Sequence, residues 1–449
     1  MANLTQLRIA AREIFQETLT AVDAWDSVRR EMRVQGSRLI SRNFSIDISQ
    51  RNVYSVAIGK AASSMASATE STLGDRFTAG IISGLAQSQQ STADSRWQFF
   101  EGGHPLPAEA SLLAGKAASD LLERANQERA LVIFLVSGGG SAMIEWPIGE
   151  DITLADMRMA NKTLVKSGAS IGEINAVRRA FSAIKGSRLA FRAPNCDQVT
   201  LIVSDVPAGQ EWNVASGPTL PPPQDAPKAF DVVETYQLRP KLPDSILRAI
   251  DVERETRPAE NSTNLREHLV LLSNDDALEA AASAALRRGF TSDIARDISD
   301  ESIESGCEKL LQRLAGLSAS AGGTISSDLC LISGGEFSCP VKGDGLGGRN
   351  LETALRLAIA GANRPDFVAL CAGTDGIDGN SPAAGAIVDN TTIDRAQKAG
   401  LDPQDFLDRS DAYSFFIAIG DAITTGPTGT NVRDLRILLQ SNERKQIDT

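Results

Sequence analysis

The sequence predicts an α/β protein with open, largely parallel sheets. Short apolar runs recur along its 449 residues, each ending abruptly in small or polar residues. Continuous apolar runs are what strands buried on both faces of a parallel sheet look like. Helical stretches separate them, and strand alternating with helix is the pattern of α/β folds. With 42% hydrophobic and 23% charged residues, the chain has enough apolar surface for full-sized cores, and its length suggests two domains.

The opening MANLTQLRIAAREIFQETL mixes charges into an amphipathic helix and lacks the apolar region of a signal peptide. VYSVAIGKAAS reads as a strand running into a small-residue helix, AASSMASA, and TAGIISG reads as a second strand. EASLLAGKAASDLLERANQ is helical, and ALVIFLVSGGGS is a buried strand ending in three glycines, its apolar part far too short to span a bilayer. QVTLIVSDVPAG follows as a strand. The stretch from Gly217 to Ser245 carries seven prolines, at 218, 221, 222, 223, 227, 240 and 243, and reads as a connection, placing a boundary at 1–245 and 246–449. Beyond it, EHLVLLSNDDALEAA, DLCLISGGEF and DFVALCAGTDGIDG are strand-and-loop units, and ESIESGCEKLLQRLAGLSA is helical. LETALRLAIAG is a helix after GDGLGGRN, and VRDLRILL after TGPTGTN also reads as helical. Only the last few residues are expected to be disordered.

Several function classes fall away on composition. Lys and Arg total 45 against 57 Asp and Glu, and a net charge of -12 repels polyanions, which argues against a nucleic-acid partner. The five cysteines are scattered and never C-x-x-C, so neither a disulfide framework nor a zinc site is indicated, and a reduced cytoplasmic protein is expected. No membrane segment is expected, and the sequence leaves oligomerisation open. Only two histidines, His104 and His268, are present, which leaves few ways to build a histidine mechanism. His104, in the turn GGHPLP, fits a loop or a site role equally, and His268 reads as structural.

In open α/β sheets ligands bind outside the carboxyl ends of the strands, so residues ending the apolar runs are the candidates. Ser137, Gly138, Gly139, Gly140 and Ser141 form a loop whose backbone amides can approach a phosphate or carboxylate. Gly343, Gly345 and Gly348 satisfy G-x-G-x-x-G, with Gly347 and Gly348 leading into Arg349 and Asn350, where amides and a guanidinium fork can both meet an anion. TGPTGTN, ending at Asn431, is a third loop, and three such loops point to a polyphosphate ligand. None is a Walker A loop. Asp205, Glu336, Thr374, Asp375 and Asp378 also follow strands; the carboxylates Asp205 and Asp375 are hard oxygen ligands suited to Mg²⁺, whereas Asp378 reads better as a turn residue. Lys60 ends one strand and begins a helix, well placed to neutralise a transferring phosphoryl group.

These motifs resemble the class II glycerate 2-kinases. The matching blocks are VAIGKAA, GGHPLP, LVSGGGSA, EINAVRRAFSAIKGSRLA, VSDVP with VASGPT, SGGE, GDGLGGRN, GTDGIDG and TGPTGTNVRDL, in family order from about residue 53 to 435. The resemblance implies a Rossmann-like N-terminal domain with a largely parallel sheet, a smaller C-terminal MOFRL-type α/β domain, and a cleft between them. It implies phosphorylation of the 2-hydroxyl of D-glycerate by ATP with Mg²⁺ or another divalent cation. Lys60 and Arg349 match the family's catalytic lysine and arginine, and would clamp phosphoryl and carboxylate charge. Asn175 and Lys185, in the EINAVRRAFSAIKG block, join the expected binding residues. Where relatives commonly carry SDVPGDDP, this chain has SDVPAGQE, so Gly209 and Gln210 replace an acidic pair and weaken that loop as a source of several metal carboxylates.

An NAD(P)H-dependent hydroxypyruvate reductase is the competing reading, because the family has also carried that name and G-x-G-x-x-G invites it. Asp366, eighteen residues after Gly348, stands near the spacing of a ribose-binding acid. A nucleotide sensor without catalysis is a third reading, disfavoured by Lys60, Arg349 and the carboxylates.

Overall fold

In the computed structural model, which describes residues 2–85, 96–253, 264–320, 327–364 and 366–441, the apolar runs become strands. The last residues, 442–449, expected to be disordered, lie outside the described residues. The chain divides into two compact units, Ala24–Leu272 and Met1–Asp23 with Ser273–Thr449.

The Ala24–Leu272 unit opens with helix Ala24–Glu31, followed by a small antiparallel meander, β1 (Arg33–Gln35), β2 (Arg38–Ile40) and β3 (Ser45–Asp47). Its main sheet contains β4 (Val53–Ile58), β5 (Phe77–Gly84), β6 (Trp97–Glu101), β7 (Leu131–Ser137), β8 (Asp197–Val203) and β9 (Arg266–Leu272). All neighbours are parallel, in the order β6-β5-β4-β7-β8-β9. Numbered within the sheet this is 3-2-1-4-5-6, the doubly wound order whose direction reverses between β4 and β7. Every residue of β4 and β7 is buried, which is why their runs show no polar alternation. One face packs through Tyr54, Val56, Phe134 and Val136 onto Ala114, Ala118 and Leu122 of the helix Glu109–Glu128.

The boundary expected near residue 245 is corrected here. Helix Asp244–Glu253 shares a core with helices Leu154–Val165 and Ile171–Ala180, Ile246 and Ile250 packing among Met157, Leu164 and Val177. β9 then pairs with β8, so the unit closes only at Leu272. The proline-dense segment likewise folds into this helical layer, Val232 and Val233 being buried in the same core. Proline density signalled irregular backbone, not a linker.

The second unit begins with helix Ala2–Ala21, whose Leu7, Ile14 and Phe15 pack against Leu278, Leu370 and Ile437. Each fully buried side chain of this size contributes about 1.5–3 kcal/mol, which ties the N-terminus to residues 273–441. The sheet contains β10 (Thr291–Ile294), β11 (Leu329–Ser333), β12 (Phe367–Gly373), β13 (Gly385–Asp389), β14 (Ala422–Ile423) and β15 (Asp434–Gln440), in the order β10-β11-β15-β12-β13-β14. β10 and β11 are parallel, while β15 runs antiparallel between β11 and β12. VRDLRILL is therefore a central strand and not the expected helix. Leu435, Ile437 and Leu439 face one core and Leu438 the other, so the run is apolar on both faces and its helical look carries no information. Because β15 is reversed, its first residue, Asp434, lies at the edge where β11 and β12 end.

Candidate active site

The turn after β4 meets the turn after β7 at the point where the strand order reverses. Gly59 has φ +108°, and a Cβ there would stand 2.3 Å from the Ser137 carbonyl, so only glycine lets the two turns close. Lys60 N donates to Gly138 O at 2.9 Å. Ser137 Oγ donates to Ile58 O at 3.0 Å and accepts from Ala61 N at 3.0 Å, stitching strand end to helix start. The Lys60 stem lies across Gly139, whose missing Cβ would meet Lys60 Cγ at 3.1 Å. Gly139 and Gly140 lead into the short helix Gly140–Met143, and first-turn amides of a helix have no intrahelical acceptor. Lys60 and Ser137–Ser141 are thus brought together.

From Ser141 a hydrogen-bond chain leads inward. Ser141 Oγ and Ser216 Oγ are 2.8 Å apart, Ser216 Oγ donates to Asn175 Oδ1 at 2.9 Å, and Arg178 Nη1 donates to the same oxygen at 3.2 Å. Ala215 and Ser216 both have positive φ, which turns the Ser216 hydroxyl region of VASGPT sharply. Lys185 has a different part from the one expected. It is buried, and its ammonium is committed to Glu145, whose other oxygen accepts from Ser182 Oγ and Trp146 N. Burial lowers the Lys185 pKa, opposed by the Glu145 charge. Glu145, Arg178 and Ser216 escaped the sequence reading.

Asp205 follows β8, and the altered loop after it is held by Glu211, which accepts from Gly209 N at 2.9 Å. An acid therefore does stand beside this loop, one position after the replaced pair. Asp375 belongs to the other unit, where Ile377 N donates to it at 3.1 Å. No group of three or more metal-ligating side chains occurs among the described residues.

In the second unit the hub is Arg349, first residue of helix Arg349–Gly361. Its Nε donates to Asp434 Oδ2 at 2.6 Å and its Nη2 lies 2.6 Å from Glu336 Oε1. Burial alone would lower its pKa, but the Asp434 and Glu336 charges outweigh it and hold the guanidinium above its ordinary range. The side chain keeps 36% of its surface exposed, so it is gripped yet reachable. Asp434 is buried; burial would raise its pKa, but Arg349 dominates and keeps it low. Behind it Arg436 donates to the Gly334 and Gly335 carbonyls and lies 3.4 Å from the Phe337 ring centroid, fixing the SGGE turn. Asp434 and Arg436 were both missed.

Three amides of GDGLGGRN, expected to meet an anion, are engaged within the protein. Gly345 N donates to Arg409 O, Leu346 N to Asp411 Oδ1 and Gly347 N to Asn380 Oδ1. At the helix start, Asn350 N and Leu351 N donate to the Asp378 carboxylate at 3.1 and 2.8 Å. The anion at this helix N-terminus is the protein's own. The glycines serve close packing, since a Cβ on Gly348 would stand 2.5 Å from Asp378 Oδ1 and one on Gly345 2.5 Å from Asp411 Cβ. Asp378, read from sequence as a turn residue, is a buried helix cap. Asn350 also bridges it to Asp434, donating to the two at 3.2 and 2.9 Å. Thr374 is internal as well. Its hydroxyl donates to Arg433 O at 2.6 Å and accepts from Val432 N, tying TGPTGTN to the end of β12, while Asn431 Oδ1 accepts from Arg433 N.

Burial pushes the Asp378 carboxyl up to about 7, against the lowering effect of the Leu351 amide, and the Asp434 charge adds to the rise. The unfolded value is about 3.9, so below about pH 4 both states hold the proton, and ionisation is disfavoured only in the folded state. Stability is therefore expected to fall as pH rises from about 4 through about 7, by up to about 4 kcal/mol. Asp378→Asn should flatten that fall. Urea midpoints at pH 5 and pH 8 measure it, and parallel curves for the two proteins would refute it.

The geometry also bears on the dinucleotide reading. β11 ends at Ser333 and the helix begins at Arg349, so residues 334–348 intervene where a fingerprint needs one tight turn. Asp366 precedes β12 at its amino end, the wrong edge for a ribose ligand.

Comparison with known proteins adds an independent line. The chain matches the model described as a domain of unknown function (DUF4147) over residues 10–251 and the MOFRL family over residues 329–434. It is 34% identical over 442 residues to the glycerate 2-kinase of Pyrococcus horikoshii, covering 95% of this chain and 96% of that one. It is 37% identical over 389 residues to a protein of Agrobacterium vitis described as a putative hydroxypyruvate reductase, covering 86% of each. Among solved structures, glycerate kinase from Thermotoga maritima superposes with a TM-score of 0.78 at 31% identity, over 97% of this chain and 100% of that one.

Proposed function

We propose, for a chain that belongs to the glycerate kinase family with its DUF4147 and MOFRL domains, transfer of the γ-phosphoryl group of ATP to the 2-hydroxyl of D-glycerate. The hydroxyl oxygen forms the new P–O bond, the bond to the β-phosphate oxygen breaks, and ADP departs with that electron pair, leaving 2-phosphoglycerate and the hydroxyl proton. The observation that carries the reading is Lys60 lying across Gly139 where the parallel sheet reverses direction. A lysine beside a side-chain-free glycine loop suits a phosphate ligand, and offers nothing to a hydride.

Phosphoryl transfer needs positioning and charge neutralisation more than covalent help. Lys60 supplies a compact cation, and Arg349 a guanidinium held by Asp434 and Glu336. Asp205, which follows β8, and Asp375, which follows β12, are each proposed as a ligand to a divalent cation; carboxylates at strand ends suit Mg²⁺, which takes waters and phosphate oxygens as its other ligands and would neutralise phosphate charge when bound. The described cysteines are all free, which fits a cytoplasmic enzyme, and no described helix is long and apolar enough to cross a membrane.

The test is release of ADP dependent on D-glycerate and Mg²⁺, with the product passed to enolase. Enolase consumes 2-phosphoglycerate and leaves the 3-isomer untouched, so a coupled signal supports transfer to the 2-hydroxyl. Release with another hydroxy acid alone would remove the substrate while keeping the reaction class. NADH oxidation with hydroxypyruvate, and no ADP release, would install the reductase in its place.

A further inference from the structure

Arg178 presents a cation that neither the family match nor the phosphoryl-transfer reading uses. It stands on helix Ile171–Ala180, and its donors meet neutral acceptors: Nε donates to Asn161 Oδ1 at 2.7 Å and Nη1 to Asn175 Oδ1 at 3.2 Å. Asn161 cannot turn its amide away, because its Nδ2 donates to Met157 O at 2.8 Å. Asn161, Asn175 and Ser216 are buried, so the guanidinium is gripped from the protein side.

No carboxylate forms an ion pair with Arg178 among the described residues. The acid that acts on it from a distance, Glu145, is already engaged by Lys185, Ser182 and Trp146. Lys185 and Arg178 thus share one counter-charge, leaving a local positive excess in a chain whose net charge is -12. Burial lowers the Arg178 pKa with Glu145 opposing, so the site holds a partly desolvated cation that lacks a close anion. Among the described residues Nη2 has no hydrogen-bond partner, and it is not one of the fully buried unpartnered atoms. Nη2 and the second hydrogen of Nη1 are therefore the donors left for a two-pronged contact.

We propose that Arg178 is the receptor for the carboxylate of the hydroxy-acid substrate, aimed by Asn161 and Asn175. The proposal rests on the phosphoryl-transfer reading for the identity of that acid. A planar fork matches a carboxylate bidentately, whereas Lys60 and the glycine amides suit phosphate as compact charge and backbone donors. The chain Asn175, Ser216, Ser141 joins the fork to the glycine loop through two hydroxyls, which are donors and acceptors for the substrate's own hydroxyl groups. Nucleotide phosphate is the other source of an oxyanion, and the experiment separates the two.

Arg178→Gln and Arg178→Lys in the full chain are compared with wild type, using D-glycerate and its neutral amide, D-glyceramide, with ATP. Arg178→Gln is expected to raise the KM for D-glycerate about 100-fold, leave the KM for ATP within about twofold, and collapse the preference for D-glycerate over D-glyceramide. Arg178→Lys should restore part of that preference. A raised KM for ATP with D-glycerate unaffected would overturn the proposal in favour of a phosphate site. An unchanged preference alongside a lowered Tm would overturn it in favour of a purely structural arginine. Calorimetric titration of D-glycerate into both proteins reads binding without turnover. Binding to wild type but not to Arg178→Gln supports the receptor even if no ADP is released, and equal binding to both overturns it.

Discussion

Arg349→Ala is expected to lower kcat by about a thousandfold, the scale seen when a preorganised charge donor is removed from a transition state. Arg349→Lys should recover little. Asp434 takes Nε and Nη2 from one side while Glu336 takes Nη2 from another, and an ammonium cannot reproduce that fork. The substitution has a structural cost as well. Asp434 is buried, and without Arg349 its remaining cation is Arg436 at 3.9 Å, so breaking the pair should cost about 3–5 kcal/mol. The two effects separate by measurement. Denaturant midpoints report the lost ion pair, and kcat at saturating substrate on the folded fraction reports the lost charge. Asp434→Asn provides the reciprocal control: it loosens the arginine without deleting it, and should reduce kcat less than Arg349→Ala. Full kcat in Arg349→Ala would remove Arg349 from the chemistry.

The residues that sequence reading missed were hidden in two ways. VRDLRILL reads as helical because a run buried on both faces shows neither the 2.0 nor the 3.6 period clearly. Read as a strand, Asp434 and Arg436 fall on one face at its beginning, and an acid and a base two apart at a sheet edge would have been candidates. Arg178 was hidden differently. Its meaning lies in having asparagines as partners, and partner identity is a tertiary fact. GDGLGGRN misled in the opposite direction. The G-x-G-x-x-G spacing was real, but it follows from contacts with residues 378–380 and 409–411 that lie far along the chain. By contrast, Lys60 and SGGGS were legible because strand ends are local. A buried run followed at once by a small or charged residue locates the carboxyl edge of a parallel sheet, and ligand loops gather at that edge. The boundary at Leu272 was invisible for the same reason that β9 was read correctly as a strand: the sequence marks a strand, and only pairing says which sheet owns it.

Lys60→Met is expected to lower kcat by about 100-fold to 1,000-fold while leaving the fold intact. Methionine keeps most of the lysine stem, and it is the stem that packs over Gly139; the Lys60 N–H to Gly138 O bond belongs to the backbone and survives any side chain. The variant therefore removes charge with little loss of packing. Tm should stay within a few degrees, which separates this position from Arg349, where charge and stability fall together. Lys60→Arg distinguishes a need for charge from a need for a compact ammonium. A Cβ on Gly139 would stand only 3.1–3.5 Å from Cγ, Cδ and Cε of the stem, so the stem runs close over the loop and a longer, planar head must be displaced along it. Partial activity in Lys60→Arg with a raised KM for ATP would mean that charge suffices and the loop yields; activity as low as in Lys60→Met would mean that the ammonium must sit at one point. Undiminished kcat in Lys60→Met would take the lysine out of phosphoryl transfer, and with it the observation on which the proposed reaction chiefly stands.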